Sequence, residues 1–440
     1  MQMSPVCAYG LRLAAILVSG AMLAACGASS LNPFKKEEVR LPGERIAVIK
    51  PESDIKIDQQ LARVPVTLPA PKRNTEWSQP GGTPTNAPGH LQIAGGLTVA
   101  WRASVGAGSG DEGRLTAVPI IYQNRIYALD AEGAVSAFSA SGGGRIWRVD
   151  LTPENEKGKE GYGGGIAAAD GRLYVTTGFG TVVALDPANG AILWTRKIGV
   201  PIRSSPTAAG GRVYFVTTES RLICLDGKEG NQLWSYRGIP EPAALLSNVS
   251  PAAAGNRVVV PYPSGDLIAH DAATGKPVWV ESLSRQRRGE SLSKLSDPAR
   301  PVIDRGVVFA VGHAGKMVAT ALDTGARLWT KSIASTQTPW VAGEFVFVVS
   351  TDGRLLALTR REGRVRWVTR LPESSQWNGP ILASGRLWLV SAAGKIVGVD
   401  AKTGAIQTQR EIGDSVFIAP AIASGRMYVL SDEARLYAMN

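Results

Sequence analysis

Apolar and polar residues alternate in short runs along most of this chain, and the runs come in pairs. The clearest pair lies within residues 180–194, where Val182 and Ala184, then Ile192 and Trp194, alternate with their neighbours. That is the period of a half-buried strand. Between the two runs, Asp186 can fold its carboxylate back onto turn amides, and Gly190 can take the positive φ that closes a short hairpin. The pattern predicts two short strands joined by a tight turn.

The unit recurs. A Gly, an Asp six residues on, a Gly four later and a Trp four after that reappear with erosion. The copies are Gly133/Ser139/Gly143/Trp147, Ser220/Asp226/Gly230/Trp234, Gly265/Asp271/Gly275/Trp279, Gly315/Ala321/Gly325/Trp329 and Gly353/Thr359/Gly363/Trp367. In Gly394/Asp400/Gly404, Thr408 stands in the Trp place, and a truncated copy begins at Ala434. A further strand region precedes each hairpin, introduced by Pro and often an Arg: Pro119/Arg125, Pro206/Arg212, Pro251/Arg257, Pro380/Arg386 and Pro420/Arg426. Ile166 takes the Pro place in the second repeat, while Pro301 and Pro339 lack the Arg at that spacing. Repeats of roughly 40 residues with several strands each read as propeller blades. The expectation is an all-β, eight-bladed β-propeller with four-stranded antiparallel blades.

Its closure is also legible. Residues 97–102 form a lone strand bearing Trp101 with no hairpin before it, and the C-terminal copy from Met427 to Asn440 lacks just that strand. The first strand is therefore expected to complete the last blade, since an open ring would leave sheet edges and blade faces exposed.

Three regions follow: a signal peptide over 1–25, a Pro-rich tether over 26–96 and the propeller over 97–440. In the first, Arg12 leads into an apolar run over 13–22 that is too short to span a bilayer, which marks a cleaved leader. The tether carries prolines from Pro33 to Pro88 without helical period, so it reads as extended. Two islands in it, residues 45–49 and the turn at 77–82, can pack on the propeller.

Composition adds limits. With 440 residues and 44% apolar content, one domain can hold the whole ring. The formal charge of +11 invites a nucleic-acid reading, but the basic residues are scattered and no dense Lys/Arg tract alternates with stacking aromatics. What remains is solubility and attraction for acidic proteins or anionic head groups. Of three cysteines, Cys7 lies in the leader and Cys26 at its end, so Cys224 is expected as a small apolar core residue. His90, His270 and His313 fall at no metal-ligand spacing and read as surface or turn residues. No nucleophile elbow or phosphate loop occurs. Neither catalytic residue nor cofactor nor metal is expected.

Three loops are long: residues 152–165, 238–250 and 283–298. Such loops are commonly functional. The second and third follow consecutive blades, so they should sit side by side. Leu245, Leu295 and Asp297 in them suit a protein-binding patch.

The hairpins 184–194 and 271–279 resemble the tryptophan-docking motif of quinoprotein dehydrogenases, propellers that hold pyrroloquinoline quinone and Ca²⁺. The vicinal cysteines and acidic funnel ligands of those enzymes are absent here, so the motif speaks for scaffold alone. Residues Leu23-Ala24-Ala25-Cys26 resemble the bacterial lipobox. That resemblance implies acylation of Cys26, and Gly27 rather than Asp after it implies the outer membrane. Lipobox, tether and eight repeats together resemble the BamB family, propeller lipoproteins of the outer-membrane β-barrel assembly machinery. Lys294-Leu295-Ser296-Asp297 is similar to a basic-Leu-Ser-Asp run of that family, and Leu245 matches a Leu on the preceding blade's loop, whereas Ala243 and Leu246 depart from the family pattern. The resemblance implies a non-catalytic adaptor on the periplasmic face of the outer membrane. Its partners would be BamA, the rest of the assembly complex and nascent outer-membrane proteins. A periplasmic glycan- or peptide-binding lipoprotein and a quinoprotein-type dehydrogenase are the other classes open to the sequence.

Overall fold

The computed structural model describes residues 55–440 apart from 112, 241–247, 285–297 and 375. Eight four-stranded antiparallel sheets follow one another as blades, over 120–150, 164–197, 207–237, 252–282, 302–331, 340–370, 377–411 and 421–439. The last sheet is completed by Val99–Ser104, which pairs with Arg435–Met439, Arg102 lying opposite Tyr437. The ring closes as the sequence requires. In six repeats the Pro directly precedes a three-residue innermost strand, in the seventh Pro380 lies within Trp377–Ala383, and the Arg, where present, opens the second strand.

The second blade shows how local chemistry makes the unit. Thr181–Leu185 and Ile192–Lys197 pair with Ala184 opposite Trp194. Asp186 Oδ1 accepts the Ala188 amide at 2.7 Å, and the Gly190 amide donates to the Asp186 carbonyl at 2.8 Å with Gly190 at φ +77°. The simple alternation is altered in two places. Val182 through Leu185 are buried on both faces, because a blade packs against a neighbour on either side. Ile192, expected to face inward with Trp194, is 55% exposed. A bulge between the pairs of Ala184 and Leu185 inserts one residue, which turns Ile192 to the other face.

Neighbouring blades are joined by tryptophans. The rings of Trp101, Trp147, Trp194, Trp234, Trp279, Trp329 and Trp367 lie over the turn glycines of the following blade. A Cβ on Gly143, Gly190, Gly230, Gly275, Gly325, Gly363 or Gly404 would stand 2.4–2.9 Å from the ring. Six of the indoles also donate to a carbonyl in that turn, at 2.7–3.2 Å. Trp101 does not: the Ala140 carbonyl at the corresponding position accepts Arg426 Nη1 at 2.9 Å instead. The missing eighth Trp has a reason. In the last blade the outer hairpin is replaced by the two chain segments, Thr98 and Asn440 exchanging backbone hydrogen bonds at 3.0 and 2.9 Å. A Trp at position 408 would find no turn glycine to cover.

Between these docking sites the blade faces are packed with aliphatic and aromatic side chains, and Cys224 sits among them, its thiol pushed up to about 12 by burial. His270 is also fully buried there, contrary to the surface position expected of it. Its Nδ1 lies 3.0 Å from the Gly275 carbonyl and its Nε2 3.2 Å from the Tyr262 hydroxyl, with the Tyr236 ring edge-on at 4.6 Å. Burial pulls its pKa down to about 4.

Two outcomes follow from this packing. Gly275→Ala and Gly255→Ala both place a side chain at positive φ, but only at Gly275 does the new Cβ meet a ring, that of Trp234 at 2.4 Å; Gly255 has open space. Gly275→Ala is expected to lose about 1–3 kcal/mol more than Gly255→Ala, the usual cost of overpacking, read from denaturant midpoints. For His270, the folded state holds the neutral form and the unfolded chain takes up a proton below its ordinary value of 6.5. Its stabilisation is therefore complete above pH 6.5 and is lost as pH falls toward 4, roughly 3 kcal/mol in all. His270→Gln cannot titrate, so the stability difference between wild type and variant should shift by that amount between pH 7 and pH 4.

Candidate functional site

The eight innermost strands face a central channel, and each presents an edge whose amides need partners. Residues 77–94 supply them, blade by blade, in order. The Trp77 and Ile121 amides donate to each other's carbonyls at 2.8 and 2.9 Å, and the Ala168 amide donates to Ser78 at 2.7 Å. Gln79 reaches both the second and third blades: Nε2 donates to the Ala168 and Ala208 carbonyls, and Oε1 accepts the Ala208 amide, each at 3.1 Å. Ala253 donates to Pro84, Ile303 to Thr85, and Asn86 Nδ2 to the Pro301 carbonyl. Trp340 Nε1 donates to Gly89 at 2.9 Å, Leu91 to Leu382, and Ala94 to Gly425.

The region read as an extended Pro-rich tether is, in this stretch, part of the ring. The described residues from 55 onward belong to the same compact unit as the blades, and this stretch plugs one end of the channel. Only the 77–82 turn was foreseen as a packing island; residues 45–49 lie outside the described residues. Trp77 is buried and stacks on Trp340 at 6.3 Å between centroids and 16° between planes. His90 is buried too, where a surface position was expected: its Nδ1 lies 2.6 Å from the Pro69 carbonyl while Nε2 accepts the Gly385 amide at 2.8 Å. The acceptor role of Nε2 leaves the proton on Nδ1. Upstream, Arg364 on the sixth blade pairs with Asp58, and Arg366 Nε donates to the Val64 carbonyl at 2.7 Å, so the chain reaches the plug along that blade's outer strand.

At the opposite end the long loops emerge. Residues 152–165 pack against neighbouring segments: Gly161 lies beneath the Phe179 ring, where a Cβ would stand 2.3 Å away, and Arg203 covers Tyr162 at 4.6 Å. The other two loops begin and end in described residues. Leu283 is fully buried, and just before it Glu281 accepts Lys316 Nζ at 2.8 Å and a bidentate contact from Arg327. Lys316 also donates to the Ser282 carbonyl at 2.6 Å, which fixes the start of the third loop.

The C-terminal stems of the second and third loops meet. Arg300 Nη2 donates to the Asn248 carbonyl. Asn248 is a hub: its Oδ1 accepts the Ser205 amide at 2.9 Å, and its Nδ2 donates to the Gly164 carbonyl and, at 3.2 Å, to Thr116 Oγ1. One side chain thus links the stem to the second blade and to the segments that lead into the first and third. The expectation that the two loops share a face holds for their stems. Leu245, Leu295 and Asp297, and the acylation candidate Cys26, lie outside the described residues. Sequence reading missed Asn248 and Arg300, which belong to no motif and are brought together only by the ring.

Among the described residues no group of three or more His, Cys, Asp or Glu side chains is placed to hold a metal ion, and none of the described helices is long and apolar enough to cross a membrane. Between plug and loop stems lies a cavity of about 490 Å³.

Comparison with known proteins agrees with the architecture. Residues 131–369 match the family described as outer membrane protein assembly factor BamB. The BamB proteins of Salmonella typhimurium and Escherichia coli are each 31% identical over 347 residues, which is 78% of this chain and 88% of theirs. Among solved structures, BamB from Moraxella catarrhalis superposes with a TM-score of 0.67 at 18% identity, over 78% of this chain and all of that one. The quinohemoprotein alcohol dehydrogenase of Comamonas testosteroni reaches 0.66 at 13% identity, over 87% of this chain and 82% of its own, a likeness of fold alone. With its eight docked blades and this extent of sequence identity, the chain belongs to the BamB family of outer membrane protein assembly factors.

Proposed function

We propose that this chain is a non-catalytic adaptor of outer-membrane protein assembly, lipid-anchored on the periplasmic face, that binds the periplasmic domains of BamA. The observation that carries the reading is the 31% identity spanning 88% of relatives named as assembly factors. The joined stems of the second and third loops support the placement of the contact. A rigid ring presents two neighbouring loops from fixed stems, which lowers the ordering cost of binding. Leu245 and Leu295 would fill a shallow apolar pocket on the partner, and Asp297 would accept a hydrogen bond or face a cation at the rim. A central apolar anchor carries more energy than a rim charge. Cys26 would carry the acyl chains, two or more of which hold a protein firmly to a bilayer.

Three variants test this. Leu245→Glu should abolish capture of purified BamA periplasmic domains without lowering the melting temperature; full capture by a folded variant overturns the face. Asp297→Ala should weaken binding a few-fold and flatten its salt dependence, because a rim charge acts through screened attraction. Cys26→Ala should leave the precursor uncleaved. A variant that matures at the same site and still floats with outer membranes would rule out lipidation there.

A further inference from the structure

The cavity between plug and loop stems holds a cation with unfilled donors. Arg300 spends Nη2 on the Asn248 carbonyl, while its Nε is shut off from solvent without a hydrogen-bond partner. No carboxylate among the described residues pairs with it. The acid among the described residues of the cavity wall, Asp432, accepts the Ser109 hydroxyl. Loss of solvent lowers the guanidinium pKa only to about 10, so it stays charged at neutral pH. A half-buried arginine with one donor unpartnered and no counter-ion among the described residues is stabilised when an anion arrives. Guanidinium geometry favours a carboxylate taken by two parallel N–H groups.

The wall is mixed: Arg114, a second cation, and polar residues such as Gln337, Gln376 and Asn378 stand beside an apolar part. Leu115, Val118, Ile381 and Ile418 line that part, Trp77 and Trp340 close its floor, and Phe417, 45% exposed, stands at its side. The volume of about 490 Å³ is that of a small-ligand site. The plug turns what would be an open channel into a pocket with an aromatic base.

We propose that this pocket binds a carboxylate carried on an apolar or aromatic group, with Arg300 as its anion partner and the Trp77–Trp340 floor and Phe417 as its apolar contacts. Two sources offer that chemistry, the C-terminal residue of an unfolded polypeptide and a small free acid. The inference does not rest on partner capture by the loops, so a failed titration leaves the adaptor reading standing, and a failed capture leaves this one.

The test is fluorescence anisotropy on the full-length mature protein. The probe is a labelled eight-residue Gly/Ser peptide ending in Phe, prepared as the free acid and as the amide. The acid is expected to bind at least tenfold more tightly than the amide. Arg300→Gln should collapse that preference, bringing the acid to the affinity of the amide. Phe417→Ser should weaken both forms several-fold; it removes an exposed ring and keeps the inference testable if Arg300→Gln does not fold. Competition by 3-phenylpropionate would show that the pocket takes free acids; acid-selective peptide binding without competition would point to chain termini. Either result supports the proposal. Equal binding of acid and amide, an acid preference that survives Arg300→Gln, or no binding of peptide or acid would overturn it.

Discussion

The ring depends on one contact made seven times: the indole of one blade laid over the positive-φ glycine in the outer turn of the next. The contact has three parts that need each other. The glycine must lack a Cβ because the ring occupies its place, and it must sit in the left-handed region because the turn requires it. In six of the seven the indole N–H then finds a turn carbonyl, so a large apolar ring is covered without stranding its donor. Behind it, a Tyr or Phe of the second strand, such as Tyr174 under Trp194 at 6.1 Å, holds the ring in place. Each blade therefore fixes the angle of its successor, and a regular angle repeated eight times closes a circle.

Closure changes the chemistry at the two odd positions. Where the last blade borrows Val99–Ser104 from the N-terminal side, the outer hairpin disappears, and with it the reason for a Trp at position 408. Arg426 then takes the turn carbonyl that Trp101 leaves unused, so the closing joint is pinned by a guanidinium instead of an indole. A charged donor at 2.9 Å is a stronger hydrogen bond than a neutral one, which suits the joint where chain continuity is missing.

The same closure creates a channel whose inner strand edges would otherwise stay open, and residues 77–94 satisfy them one blade after another. The plug has two effects. It ties all eight blades from the inside, and it closes one end of the channel, leaving a pocket beneath the loop stems. Asn248 and Arg300 link the described stems to the ring and to the wall of the pocket. The likeness to the quinohemoprotein alcohol dehydrogenase, at 13% identity, is one of fold alone.

Much of this was legible in the residues alone. Blade number, hairpin turns, docking tryptophans and the closing strand are written in short periods between near neighbours, and strand pairing across a tight turn is a local event. The exposure of Ile192 escaped that reading because a single bulge reverses the face of every residue beyond it. The burial of His90 and His270 escaped it because a lone polar residue carries no period. The plug was read as tether for a related reason: its bonds run between Gln79 and carbonyls 89 and 129 positions away, and nothing in a proline-rich stretch announces partners at that distance. Asn248 and Arg300 meet for the same cause. Repetition in sequence determined the ring; which unlike residues face one another across its centre was decided only when the ring closed, since contacts through a channel join segments that share no local pattern.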